Sequence, residues 1–239
     1  MENLQRRNSP NQRNRRTRHL KPYINCSRAQ LNPIDNTLKL KTLYTNVDNS
    51  LKSKLDELKA EIITEEPDVI KITEIKPKNG EIPDKEILEL QGYDLFLNPA
   101  YHDPDTRGVC MYLKKYLNAS AVINETTKSF KDSVWVEVSG KHNKKLLLST
   151  IYRSGSPAKA KLLDKNLHHT IKDMALKKDY SQAVITGDFN HPDIKWTRTT
   201  DENGDQVIVP DLSRRHNPDH SDVTFLDCIS DSLLFQHVT

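Results

Sequence analysis

The stretch Gln182–His191, Q-A-V-I-T-G-D-F-N-H, constrains this chain more than any other. Ala183-Val184-Ile185 is short, apolar and β-branched, which suits a buried strand better than a helix. Gly187 ends the run, and Asp188, Phe189 and Asn190 form its exit. Residues two apart in extended chain point the same way, so a carboxylate at 188 and an amide at 190 share one side of a strand end. That pairing suits phosphate-ester chemistry, where Asp ligates a cation or orients water and Asn adds a neutral donor and acceptor. The same residues also suit an Asx turn closing a core strand.

Two further strand exits carry the same chemistry. Leu38 to Asn46, L-K-L-K-T-L-Y-T-N, alternates apolar and polar and reads as a half-buried strand ending on Asn46-Val47-Asp48. Leu51, Leu55, Leu58, Ile62 and Ile63 then recur at helical spacing, and Pro67 stops the helix. Asp68 to Glu74, D-V-I-K-I-T-E, follows as a strand whose last residue is an acid. Strand, helix, strand is a βαβ layer unit. If neighbouring strands share a direction, Asn46, Asp48, Glu74, Asp188 and Asn190 converge on one sheet edge.

The remaining segments supply the layers. Residues 76–106 read as loop, with four prolines, and Arg107-Gly108 leads into a strand at Val109–Leu113. Val134–Val138 and Leu146–Tyr152 read as a hairpin that exits on Tyr152-Arg153-Ser154, a fourth polar strand end. Lys159–Lys178 reads as a helix. His168 and His169 are adjacent within it, and adjacent residues on a helix do not face one another, which argues against joint metal ligation. Residues 197–221 read as a long polar loop, and Phe225, Leu226, Ile229, Leu233 and Leu234 as a short amphipathic helix.

Charge is unevenly placed. Residues 1–28 hold eight Lys/Arg against one acid, leaving 28 Lys/Arg against 32 acids in the rest of a chain whose net charge is +3. The polar, Arg-rich stretch 1–37 cannot bury enough surface to order itself and reads as a disordered arm, with Arg15 and Arg16 as candidate phosphate contacts. Residues 38–239 read as the folded domain. Cys26, Cys110 and Cys228 are odd in number and unpaired in spacing, which argues against a disulfide framework or a zinc site. No apolar run approaches the ~20 residues of a membrane span, and no secretory h-region opens the chain, so a nuclear or cytoplasmic protein is expected.

With N-V-D at 46–48, P-D-V-I-K-I-T-E at 67–74, R-G-V at 107–109, I-Y-R at 151–153 and G-D-F-N at 187–190 in this order, the chain resembles the exonuclease III-like endonuclease/exonuclease/phosphatase superfamily. Within it, G-D-F-N-H-P-D-I-K-W at 187–196 and the Leu-rich helix before residue 67 look most like the endonuclease domain of non-LTR retrotransposons. The resemblance implies a four-layer α/β sandwich, two packed β-sheets flanked by helices, that cleaves DNA phosphodiesters with Mg²⁺ or Mn²⁺. It implies Glu74, Asp48 and Asn46 as the metal group. Asp188 would orient or deprotonate water, Asn190 would hold the phosphate or water, and Tyr152 would donate to the phosphate. Arg153 is the expected nucleic-acid contact beside them, and a reverse transcriptase encoded downstream is the expected partner.

One departure stands out. The superfamily pattern ends on a strand and a Ser-Asp-His sequence that this chain lacks, so the domain reads as C-terminally truncated, with impaired activity and an unpaired sheet edge. Asp219-His220-Ser221-Asp222 precedes the last helix and does not take that place. The alternatives are a catalytically dead nucleic-acid-binding remnant and a phosphatase of the same superfamily.

Overall fold

The computed structural model describes residues 24–28, 40–48, 50–78, 81–140, 144–155, 160–201, 204, 206–211 and 220–238. The elements, in order, are β1 (Ile24–Arg28), β2 (Thr42–Asn46), α1 (Leu55–Glu65), β3 (Val69–Thr73), β4 (Tyr93–Leu97), β5 (Val109–Lys114) and β6 (Ala119–Ala121). There follow α2 (Glu125–Ser129), β7 (Ser133–Ser139), β8 (Lys145–Tyr152), α3 (Ala160–Ala175), β9 (Gln182–Asp188), β10 (Trp196–Thr200), β11 (Gln206–Pro210), α4 (Ser221–Asp231) and β12 (Phe235–Val238). Helix α1 ends where expected: Glu66 turns left-handed at φ 46°, its N–H caps the Ile62 carbonyl, and Pro67 cannot continue the helix.

Two sheets result, one ordered β12-β1-β9-β8-β7-β6 and one ordered β2-β3-β5-β4, beside the β10–β11 hairpin. The expected βαβ unit is present, because β2 and β3 run parallel with Asn46 opposite Thr73. Strands β8 and β9 are also parallel, with Tyr152 opposite Asp188. Each sheet therefore contributes one parallel pair whose carboxyl ends are in register.

Strand alternation builds three apolar layers. Ile70 and Ile72 of β3 pack with Leu51, Leu55 and Leu58 on one outer side. Val69 of the same strand joins Met111, Val136 and Leu148 between the sheets. Leu147, Ile151 and Ile185 face Leu167, Ile171, Met174, Phe225 and Ile229 on the other outer side. Helix, sheet, sheet, helix is the four-layer α/β sandwich.

Several expectations change. The stretch 76–106 contains strand β4, which pairs with β5 at a sheet edge, and most of the β10–β11 hairpin falls in 197–221, its two strands pairing with each other. Ile63, read as part of the buried face of α1, is 78% exposed, and Leu233 lies beyond α4 and is 62% exposed. Strand β1 falls inside the stretch read as a disordered arm, and it pairs antiparallel with β9 on one side and β12 on the other. Strand β9 thus lies between β1 and β8. Cys110 and Cys228 are buried free thiols.

Gly187 is required by packing. A Cβ built there collides with the Ile151 carbonyl oxygen of the neighbouring parallel strand. Overpacking of this kind costs on the order of 1–3 kcal/mol, so Gly187→Ala should lower the unfolding free energy by about that much in urea titrations. An unchanged midpoint would show that the β8–β9 contact is looser than described.

Candidate active site

The carboxyl ends of the two parallel pairs meet. The Asn46 amide nitrogen donates to Glu74 Oε1 at 2.9 Å and to Asp188 Oδ2 at 3.0 Å. One side chain thus joins an acid of one sheet to an acid of the other. The amide oxygen of Asn46 accepts the Asp48 N–H at 2.8 Å, an Asx turn that fixes the rotamer. The Asp188 Oδ1 atom accepts the Asn190 N–H at 3.2 Å, closing the turn expected from the sequence.

The backbone is strained where these side chains leave it. Asp48, Glu74 and Asn190 have φ values of 60°, 58° and 47°, in the left-handed region that costs non-glycine residues of order 1 kcal/mol or more each. At Glu74 the strain has a structural cause. The β3–β5 ladder stops at Thr73 and resumes with Ile75 N–H to Gly108 O at 3.2 Å and Lys76 N–H to Arg107 O at 3.0 Å. Glu74 is the residue of interruption, and the irregularity re-aims its side chain as a bulge does. Gly108 opposite has φ 73°, and a Cβ there would lie 2.9 Å from Ile75 and Lys76 side-chain atoms.

Tyr152 ends β8 in register with Asp188 and is 8% exposed. Burial raises its phenol pKa, and the charges of Glu74 and Asp188 raise it further, so Tyr152 remains a neutral O–H donor beside both acids. Asp48 is exposed at the rim.

Arg153 is 4% exposed, and its guanidinium donates to both Asp164 oxygens, at 2.5 and 3.1 Å, to Ser221 Oγ at 2.9 Å and to the Asn190 carbonyl at 2.9 Å. The Asn190 amide in turn donates to the Arg153 carbonyl at 2.5 Å. Arg153 is a buried strut that sets the Asn190 turn. Arg15 and Arg16 lie outside the described residues.

Sequence reasoning missed the role of Arg107. Its Nη2 donates to Glu74 Oε2 at 2.8 Å and its Nε to the same oxygen at 3.3 Å, with a long contact from Nη2 to the Asp48 carbonyl at 3.5 Å. The Asp132 carboxylate holds the loop below, accepting the Gly108 N–H at 2.8 Å and the Arg107 N–H at 3.3 Å. Burial pushes the Asp132 pKa up to about 6, against the lowering effect of those two amides. The sequence marked Arg107 only as the first residue of the R-G-V stretch that leads into β5, with nothing to tie it to Glu74.

A second polar group lies beside the Asn190 turn. His191 donates or accepts at Nδ1 with Asp222 Oδ1 at 2.8 Å and stacks on Phe225 with centroids 4.3 Å apart. Among the described residues, Asp193, His220 and Asp222 are the one trio of His, Cys, Asp or Glu whose ligand atoms lie within 4.8 Å of one another.

Comparison with solved structures identifies the fold. The chain superposes on an AP endonuclease from Leishmania major with a TM-score of 0.56 at 12% identity, covering 84% of this chain and 70% of that one. The endonuclease domain of TRAS1, a telomere-specific non-LTR retrotransposon, scores 0.47 at 14% identity over 69% of this chain and 65% of its own. A humanized D. rerio TDP2 scores 0.43 at 18% identity over 64% and 63%. No protein-family model and no curated protein matches the sequence. The superposition on the AP endonuclease shows the fold, the four-layer α/β sandwich that the sequence resemblance implied.

The His191–Asp222 pair makes a stability prediction. Burial, together with the nearby Arg153 cation, pulls the His191 pKa from 6.5 down to about 4, against the opposing pull of Asp222. The unfolded chain therefore binds the extra proton first, and His191 contributes stability above pH 6.5 that is lost as pH falls toward about 4. Asp132 acts oppositely, because its raised pKa favours the folded state at low pH. The two are separated by comparison: His191→Gln should destabilise the protein more at pH 7.5 than at pH 5 in urea unfolding. A larger loss at pH 5 would contradict a neutral buried imidazole.

Proposed function

We propose that the chain is a divalent-metal-dependent phosphodiesterase acting on DNA, of the nicking type that retrotransposon endonucleases represent. The observation that carries the reading is the Asn46 bridge, which holds Glu74 and Asp188 at one point between two sheets. Two carboxylates brought together away from bulk water call for a cation. Their oxygens suit Mg²⁺ or Mn²⁺, which need only one or two carboxylates and keep several waters. Glu74 would be the principal ligand, with Asp188 opposite it and Asp48 at the rim. Such an ion, when bound, neutralises phosphate charge and acidifies water.

The described contacts support the remaining roles. Asp188 would orient a water and accept its proton. Tyr152, kept neutral, donates to a phosphate oxygen as negative charge builds there. Asn190, fixed by Arg153, holds its side of the site rigid. Asn46 is assigned the role of clamp between the acids, with its nitrogen rather than its oxygen turned to them. The retrotransposon assignment rests on the 187–196 stretch, and it carries with it a reverse transcriptase as the functional partner.

Plasmid nicking tests the reading. Asp188→Asn and Glu74→Gln should each reduce Mg²⁺-dependent nicking at least ~100-fold, with EDTA abolishing what remains, while the melting temperature stays within a few degrees or rises. Turnover that survives both substitutions would refute the assignment. Release of phosphate from small phosphomonoesters in place of nicking would favour a phosphatase.

A further inference from the structure

The cation that meets Glu74 in this structure is Arg107, and its contacts bear on how a divalent ion enters. Glu74 Oε1 is taken by Asn46, and Oε2 by two nitrogens of one guanidinium. An ion that used Oε2 would compete directly with Arg107. The other cations near the site have their own partners. Arg153 is bound to Asp164, Lys71 to Thr186 Oγ1 at 2.8 Å, and Lys76 to the carbonyls of Tyr101 and Asp103 and to Thr106 Oγ1.

Resting on the metal-dependent reading above, we propose that Arg107 is the resident counter-ion of Glu74, that the divalent ion enters by displacing its guanidinium, and that the displaced guanidinium then contacts the substrate phosphate. Three observations support this. The Arg107 backbone is fixed by Asp132 and by pairing with Lys76, so the side chain moves from an anchored base. Its side chain is 17% exposed and reaches the carbonyl of exposed Asp48 at 3.5 Å, so part of the guanidinium lies at the rim of the site. The charges also balance. With Glu74, Asp188, rim Asp48 and Arg107 counted together the site carries two net negative charges, which one divalent ion neutralises. Arginine's planar fork suits phosphate as well as carboxylate. Metal and nucleic acid then favour each other's binding through one side chain.

Mn²⁺ binding to the full chain without nucleic acid, followed by the paramagnetic signal of free ion, tests the first half. Arg107→Gln removes the competitor and should bind Mn²⁺ at least about threefold tighter than the unaltered protein. Arg107→Lys keeps the charge but loses the forked contact, and should also bind tighter, by less. If neither variant, shown folded by its thermal melt, gains affinity, the displacement is wrong. Glu74→Gln is the separate control: it should lose Mn²⁺ binding, and if it does not, the metal reading itself fails. A nuclease-resistant phosphorothioate oligonucleotide, followed by anisotropy at saturating Mn²⁺, tests the second half. Arg107→Gln should weaken its binding about tenfold, and equal affinity would overturn the phosphate contact.

Discussion

One amide group joins the two halves of this molecule at the point where chemistry is proposed. The nitrogen of Asn46, at the end of β2, donates to Glu74, just past β3, and to Asp188, at the end of β9 in the other sheet. Two carboxylates repel, and only fixed donors between them hold them together without a metal. The Arg107 guanidinium and the Asn190 N–H belong to that set. The three left-handed residues at the site, Asp48, Glu74 and Asn190, are tolerated because those hydrogen bonds and the flanking ladders over-determine them.

The sandwich makes the meeting possible. Each sheet contains one parallel pair, and a parallel pair ends with both carboxyl termini on one rim. The layer between the sheets is apolar at Val69, Met111 and Leu148 and becomes polar toward the rim. Lys71 crosses that layer to Thr186, and its burial lowers its pKa to about 7. Thr73, next along the same face of β3, bonds to Tyr44 at 3.0 Å. The polar character therefore starts inside the sandwich and continues outward to Glu74.

The sequence made the strand exits legible because alternation and helical spacing are local patterns. Asn46, Glu74, Tyr152 and Asp188 each end a segment whose period shows itself within a few residues. Arg153 was legible as a residue at a strand exit but not as a strut. Its partners Asp164 and Ser221 are 11 and 68 residues away, and nothing local marks them. Strand β1 was hidden for the same reason, since its pairing with β9 joins Ile24 to Gly187 across most of the chain. The β10–β11 hairpin is largely exposed and polar on β10, so composition alone read it as loop. Arg107 gave no periodic signal at all, because its importance lies in a side-chain contact 33 residues back, to Glu74.

The most direct test is to locate a bound ion. Crystals grown with Mn²⁺ should give an anomalous peak in contact with a Glu74 carboxylate oxygen, at a ligand distance of roughly 2–2.2 Å, on the side facing Asp188. A peak at Asp193, His220 and Asp222 with none at Glu74 would contradict the account, because the acids joined by Asn46 would then hold no metal.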